Sequence, residues 1–205
     1  MRLILLLNIT FLFFSSFLQA QEYIKYVPEH MKVAKDSNGK KLVLISDLNN
    51  DGLNDNFVLV EDKLGYKTIL ALITVRGKLL PCAFELIFDY FDCCNALNVD
   101  TNKVVRISSN GTNFFEYYKF RWHSPANQFK ILSYENKTLE NMKGYTYKQI
   151  INFETGELKS TTIFNDSNTG DTTSHTETKL LEGVDEFTLR SFSSCNNLID
   201  SLISR

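Results

Sequence analysis

Short runs rich in Val, Ile, Phe, Tyr and Thr recur along the chain, separated by Gly, Asn and Asp. This alternation is typical of β-strands joined by turns. Thr68–Val75 and Phe84–Phe88 are apolar on both faces, which favours central positions in a sheet. The predicted strands are Lys41–Ser46, Asn56–Glu61, Thr68–Val75, Phe84–Phe88, Lys103–Ser108, Phe115–Trp122, Phe129–Glu135, Tyr145–Phe153, Glu157–Phe164 and Glu186–Leu189.

The segments between the strands predict how the domain is organised. Glu154-Thr155-Gly156 separates two strands and predicts a tight hairpin turn. Asn165–Thr178 is polar and rich in Thr and Ser, which predicts a mobile loop, and Asn196–Ser204 predicts a short terminal helix. No linker or repeat divides residues 21–205. We therefore predict one antiparallel all-β domain, a sandwich or a propeller-like sheet.

The segment Met1–Ala20 has the pattern of a secretory signal peptide. Arg2 is followed by the apolar run Leu3–Phe14, and Leu18-Gln19-Ala20 places a small residue at the expected cleavage point. The alternative is a transmembrane anchor, but the run is short for a bilayer. We predict cleavage, no membrane span afterwards, and export of residues 21–205 to the periplasm or the extracellular space.

Charge excludes one class of partner. The chain has 22 Lys and Arg against 24 Asp and Glu. Removal of residues 1–20 takes away Arg2 alone, which leaves 22 − 1 = 21 cations and a net charge of 21 − 24 = −3. This balance offers no basic surface for nucleic acid or an anionic membrane.

The four cysteines all lie in the predicted mature domain. An even number in an exported chain predicts disulfide bonds. Cys93 and Cys94 are neighbours, and a bond between them would close a strained ring. We expect one of the two to reach Cys82 and the other to reach Cys195. The alternative is that the thiols stay reduced and buried.

Asp47–Asp55 is the sharpest motif in the sequence. Oxygen-bearing side chains recur there at alternate positions, and Gly52 permits the sharp turn that gathers them around one point. Ca²⁺ prefers six to eight such hard oxygen ligands. Val58 stands where an EF-hand carries its bidentate Glu, and the flanking segments are predicted strands, so we predict an EF-hand-like loop in a β-hairpin. The predicted structural Ca²⁺ ligands are Asp47, Asn49, Asp51 and Asp55 with the carbonyl of Leu53. The alternative is a polar turn without metal.

Motifs for catalysis are scarce. The histidines His30, His123 and His175 lack the spacing of zinc ligands. The sequence contains no nucleophile elbow, phosphate-binding loop or dinucleotide fingerprint. Carboxylates are plentiful, but no spacing selects a glycosidase pair. We therefore expect a protein that is not an enzyme.

Several segments, taken in order, carry a resemblance to a known family. They are Asp47–Asp55, Ile107–Gly111, Tyr117–Trp122, Phe129–Glu135 and Ile151–Glu157. This series resembles exported bacterial β proteins related to periplasmic lysozyme inhibitors, with an EF-hand-like or FG-GAP-like calcium loop. The resemblance implies that an exposed Ser/Gly loop plugs the cleft of a lysozyme-type hydrolase. The candidate loop is formed by Ser108, Ser109, Asn110, Gly111 and Thr112, in which Asn110 interrupts the Ser-Gly order of the family.

Three functions remain open from the sequence. The first is a non-catalytic exported protein that binds Ca²⁺ structurally and a macromolecular partner through loops, as a lysozyme-type hydrolase inhibitor does. The second is a carbohydrate- or surface-binding adhesion module, in which exposed aromatics such as Tyr117 stack on sugar. The third is a glycan hydrolase with an unrecognised carboxylate pair. A rigid protruding loop favours the first, a row of exposed aromatics the second, and two facing carboxylates in a cleft the third.

Overall fold

The fold is a β-sandwich of two antiparallel sheets, which confirms the predicted single all-β domain. A computed structural model describes residues 22–88, 96–140, 144–166, 169–184 and 187–189. The predicted signal peptide and the predicted helix Asn196–Ser204 lie outside these ranges. No helix of the described part is long and apolar enough to cross a membrane.

The smaller sheet contains the first strands of the chain. Its strands are β1 (Lys32–Val33), β2 (Val43–Ser46), β3 (Asp55–Glu61), β4 (Lys67–Val75) and β5 (Lys78–Phe88). β3 is central, because β1 and β2 both pair with it and β4 pairs along its other side. β5 follows β4 at the edge of the sheet.

The larger sheet is a meander in which each strand pairs with the next along the chain. Its strands are β6 (Ala96–Val99), β7 (Val105–Asn110), β8 (Phe114–His123), β9 (Gln128–Glu140), β10 (Tyr145–Asn152), β11 (Glu157–Asn165) and β12 (Thr172–Leu180). Short 3₁₀ helices occur at Glu22–Tyr26 and Ser124–Ala126. The consecutive pairing follows from short turns, since antiparallel strands need only a few residues between them.

The main core lies between the two sheets and is rich in aromatic rings. Phe57 of β3 packs against Phe129 of β9 edge to face, with 5.4 Å between the ring centroids. Phe120 and Tyr134, also on the larger sheet, are buried in the same core. Alternate residues of each strand point to one face, so each sheet contributes every second residue to this layer.

A second, smaller core covers the outer face of the smaller sheet. Tyr23 of the first 3₁₀ helix packs there with Val58, Val60, Leu70 and Leu72. β4 is therefore buried on both faces, apart from its last residue. This confirms the central position predicted for Thr68–Val75.

The predicted strands match the observed ones closely, and the differences have local causes. The hairpin turn at Glu154-Thr155-Gly156 is confirmed: the Asn152 side chain caps it by accepting from the backbone N–H groups of Glu154 and Thr155. The mobile loop predicted for Asn165–Thr178 is wrong. That segment contains the end of β11 and most of β12, since its Thr residues are good strand formers.

Two further strand predictions need correction. Phe84–Phe88 is only the second half of β5, which already begins at Lys78 after the turn at Arg76 and Gly77, both with positive φ. The central position predicted for Phe84–Phe88 is also wrong, because β5 is an edge strand of the described sheet and pairs with β4 alone. The strand predicted at Glu186–Leu189 is wrong for the residues that the structure describes there, which form only a single bridge, between Thr188 and Lys130. The strand β6 was not predicted at all.

Cys82 lies at a bulge of β5, where Ala83 pairs with Ala71 and Pro81 with Leu72. Its half-buried side chain packs against the main core. The structure shows no disulfide within the residues it describes. Cys93, Cys94 and Cys195 lie outside those residues, so the pairing stays a prediction.

Candidate functional site

The Asp47–Asp55 loop joins β2 to β3, and the pair Ser46 and Asp55 closes it. Its side chains accept hydrogen bonds from the backbone of their own loop. Asp47 accepts from the N–H groups of Asp51 and Gly52 at 3.1 and 3.2 Å. Asn49 Oδ1 also accepts from the Asp51 N–H, at 3.0 Å, so the side-chain oxygens of Asp47 and Asn49 converge on one nitrogen.

The two remaining side-chain ligand candidates of the loop, Asp51 and Asp55, make different contacts. Asp51 is exposed and accepts from the Leu53 N–H and from the Asn49 side-chain amide. Asp55 is completely buried. Its carboxylate accepts from the backbone N–H groups of Leu48 and Asn49 within the loop and of Thr74 on β4. Asp55 therefore fastens the loop to the sheet.

Burial also shifts the pKa of Asp55. Loss of water around the carboxylate raises the pKa of Asp55 above its ordinary value of 3.8, although the N–H groups of Thr74 and Leu48 counteract this shift. The nearby negative charge of Asp51 raises the pKa further.

The calcium site predicted for this loop requires several oxygen donors around one point. The structure does not bring three acidic side chains of the described residues together as a metal site. Asp47, Asn49 and Asp51 offer the hard oxygen donors that Ca²⁺ prefers, and they lie on the solvent side of the loop. These three side chains would hold the ion. The Asp55 carboxylate already accepts three backbone hydrogen bonds, so it is not counted among them. Calcium binding by this loop stays a prediction.

The predicted partner-binding segment is a strand end and a tight turn. Ser108, Ser109 and Asn110 belong to β7, and Ser109 is buried at 2% exposure. Gly111 opens the turn to β8, and its N–H donates to the carbonyl of Phe114. The exposed residues are Asn110, Thr112 and Asn113. The Leu139 N–H donates to the Asn113 carbonyl at 2.7 Å, so the tip is held against β9.

A polar groove lies on the inner face of the larger sheet, beyond the main core. Ile151 and Leu158 are buried in that core. Gln149 and Ser160 lie two residues away along the same strands and therefore share their face. The groove has a volume of about 520 Å³. The side chains of this face that line it beyond Leu158 are Asn136, Thr138, Tyr147, Gln149, Ser160, Thr162, Glu177 and Lys179.

The polar groups of this groove are in register from strand to strand. One row crosses six strands through directly opposed residues: Ser109, Glu116, Asn136, Gln149, Ser160 and Glu177. Exposure rises along the row, from the buried Ser109 through half-buried positions to the exposed Glu177. The row thus runs from the edge of the core into open solvent.

Aromatic rings flank the row on β10 and β11. Tyr147 lies next to Gln149 on this face, is 40% exposed and lines the groove. The Tyr145 ring stacks beside it, with 6.1 Å between centroids and 23° between planes. Phe164 of β11 packs on Tyr145 at 4.9 Å. These rings form an aromatic platform, defined as Tyr145, Tyr147 and Phe164.

Tyr117, the aromatic singled out from the sequence, lies on the opposite face of the larger sheet. Its ring stacks on Phe115 at 6.1 Å, and Lys119 Nζ lies 5.5 Å from its centroid. No local pattern in the sequence marks the groove, because its residues come from four strands and each residue type is common in strands. The groove residues become neighbours only when the strands are paired in register.

The carboxylates of the polar row are far apart. Glu116 lies on β8 and Glu177 on β12, four strand spacings away, or about 19 Å at the usual distance between paired strands. Glycoside hydrolases place their two carboxyl groups about 5–9.5 Å apart. Glu116 also accepts a hydrogen bond from the Tyr134 hydroxyl at 3.2 Å. This pair does not have the geometry of a glycosidase.

Comparison with protein-family models, with curated proteins and with solved structures finds no match.

Proposed function

We propose that this is an exported, non-catalytic protein that binds a glycan in the polar groove. The observation that supports this most directly is the set of in-register amide and hydroxyl side chains, Asn136, Gln149 and Ser160, beside the aromatic platform. Amides and hydroxyls both donate and accept hydrogen bonds, as sugar hydroxyls do. Aromatic rings offer flat apolar surface for the C–H face of a sugar ring. Ligand sites combine apolar surface with placed polar groups that fix the orientation of the ligand.

Tyr147→Ala is expected to weaken glycan binding at least tenfold, a loss of about 1.4 kcal/mol in binding free energy. The exposed ring contributes flat contact area with little ordering cost, and alanine removes it. The measurement is a glycan array with residues 21–205, followed by calorimetric titration of the best glycan. Tyr147→Phe keeps the ring and is expected to bind within about threefold of wild type, well under 1 kcal/mol.

Tyr117→Ala serves as the matched control, since it removes a tyrosine from the opposite face of the same sheet. It is expected to leave glycan affinity unchanged. An array without any bound glycan would overturn the proposal. Equal loss of affinity in Tyr147→Ala and Tyr117→Ala would also overturn it, because such a loss follows from general destabilisation.

A hydrolase-inhibitor function is the second proposal, and one observation favours it. The β7–β8 turn carries exposed polar side chains at Asn110 and Thr112, and the hydrogen bond between Leu139 and Asn113 holds its tip in place. An inhibitor needs such a rigid polar tip, because a preordered loop loses little entropy on binding. Inhibition of a lysozyme by the purified domain is the readout that separates this proposal from glycan binding.

We also propose that Ca²⁺ binds the Asp47–Asp55 loop and stabilises the fold. Binding to the folded state alone raises stability by about 2.7 kcal/mol at a hundredfold excess over Kd. Asp51→Ala is expected to remove most of this gain, since it deletes an exposed ligand without touching the core. Thermal melting with calcium and with chelator measures it.

The control for calcium is Asp36→Ala. Asp36 is likewise a turn residue that accepts from backbone N–H groups, those of Asn38 and Lys40. This variant should keep the full calcium-induced rise in Tm. If wild type melts at the same temperature with calcium and with chelator, the loop is an ordinary hydrogen-bonded turn.

A further inference from the structure

The strand β12 forms a long open edge of the larger sheet. All nine residues of Thr172–Leu180 are exposed. The pairing of β12 with β11 runs without a register shift over its whole length. Leu180, at the end of the strand, is 77% exposed. Such a regular, uncovered edge is a template for pairing with another strand.

The backbone groups that face outward from β12 can be assigned from its inner hydrogen bonds. The Leu181 N–H donates to the Gly156 carbonyl, and the Asp166 N–H donates to the Asp171 carbonyl. Odd-numbered residues therefore bond to β11, because bonded and non-bonded pairs alternate in an antiparallel ladder. The even-numbered residues direct their N–H and C=O groups to solvent. They are Thr172, Ser174, Thr176, Thr178 and Leu180.

β5, the other long edge strand of the described sandwich, carries features that oppose pairing with a further strand, and β12 does not. β5 carries Pro81, which has no N–H to donate, and two register shifts interrupt its pairing with β4. Proline and bulges are the devices by which natural edge strands avoid pairing. β12 contains neither, and four of its nine residues are Thr, a residue that favours strands.

We propose that β12 pairs antiparallel with β12 of a second copy of this chain, about a twofold axis at Thr176. In this register all nine residues overlap, and every outward N–H and C=O meets a partner. His175 lies opposite Glu177 of the second copy, and Thr173 lies opposite Lys179. On the other face Ser174 lies opposite Thr178, which pairs hydroxyl with hydroxyl. The pairing joins the two seven-stranded sheets into one.

The side chains of β12 favour this register over its neighbours. Moving the axis by one residue places Glu177 opposite Glu177, and like charges directly opposite are destabilising. Moving it the other way places His175 opposite His175 and loses the His175–Glu177 contact. Within one chain these two side chains already lie 3.2 Å apart, from His175 Nε2 to Glu177 Oε1. In the proposed register, each His175 gains the Glu177 of the second copy as a further neighbour, once on each side of the axis.

The dimer is tested by sedimentation of residues 21–205. Wild type is expected to sediment at twice the chain mass. Thr176→Pro removes the N–H at the axis while leaving the bonds to β11, and it is expected to weaken the dimer at least tenfold. Thr176→Val keeps the backbone and the strand propensity and should remain dimeric. A wild-type protein that sediments as a monomer at about 100 μM, a hundredfold above a micromolar Kd, would overturn the proposal.

The register has its own test, which does not depend on how Thr176→Pro folds. Thr176→Cys places two thiols directly opposite each other, about 5.5 Å apart at Cα, within the range of a disulfide. Oxidation should convert this variant to a covalent dimer well beyond the wild-type background. In Ser174→Cys the two thiols are four residues out of register, about 14 Å apart along the strand. Equal cross-linking of both variants would contradict the proposed register. Glycan binding is measured separately, so neither result depends on the other proposal.

Discussion

Asp55→Ala is expected to lower the free energy of unfolding by about 3–5 kcal/mol. Asp55 is completely buried, and its carboxylate accepts from the N–H groups of Leu48, Asn49 and Thr74. Alanine leaves these donors without their acceptor, and each buried donor left unpaired costs about 1–3 kcal/mol. The loop between β2 and β3 also loses its attachment to β4.

Denaturant unfolding in calcium-free buffer measures this effect, with Asp51→Ala as the control. Asp51 belongs to the same loop and carries the same charge, but it is exposed. Its removal is expected to cost about 1 kcal/mol or less without calcium. If the two variants lose equal stability, Asp55 does not fasten the loop as its contacts indicate.

The raised pKa of Asp55 predicts how its contribution varies with pH. The folded protein holds the proton more tightly than the unfolded chain between pH 3.8 and the raised pKa. Stability falls with rising pH wherever the folded state binds more protons. In Asp55→Asn nothing titrates at this position. The stability of wild type relative to Asp55→Asn is therefore expected to be greatest below pH 3.8 and to decline as pH rises through the folded pKa. A difference that grows with pH in this window would contradict the assigned shift.

The fold was predictable because its strands are local and its turns are strongly marked. Phe115–Trp122 and Phe129–Glu135 alternate clearly enough to place each face, and Gly156 fixes the hairpin between β10 and β11. β12 was missed because its residues are polar on both faces, so no burial pattern distinguishes it from a loop. Thr-rich composition was the remaining signal, and pairing with β11 decided the outcome.

The candidate sites were less predictable, for a physical reason in each case. The spacing of Asp47, Asp51 and Asp55 is the same whether a carboxylate meets a metal or backbone N–H groups. Only the position of Thr74, far along the chain, shows that Asp55 is held by the sheet. The polar groove has no motif at all, because register across strands brings Asn136 and Gln149 together.

Phe57→Ala is expected to lower the free energy of unfolding by about 3–5 kcal/mol. Phe57 is fully buried on the face of the smaller sheet that packs against the larger sheet. Its ring centroid lies 6.1 Å from that of Phe120 and 5.4 Å from that of Phe129. Alanine removes the ring and leaves a cavity between two strand layers that cannot collapse, because each layer is held by its own hydrogen-bond ladder. The expected cost therefore includes a cavity term as well as the lost burial.

This substitution also tests whether the two sheets unfold together, because Trp122 is the only tryptophan of the chain and lies on the larger sheet. The Trp122 ring packs on Phe129 at 5.2 Å, so its fluorescence reports the packing of that sheet beside the substituted ring. Loss of Phe57 should shift the Trp122 transition and the circular-dichroism transition to the same lower denaturant concentration, as two-state unfolding requires. Ile45→Ala, at an exposed position of β2, should lower the free energy of unfolding by about 1 kcal/mol or less, so both transitions should stay close to those of wild type. Separate transitions in Phe57→Ala would show that the larger sheet is stable without the smaller one, and the shared core would then not be what joins them.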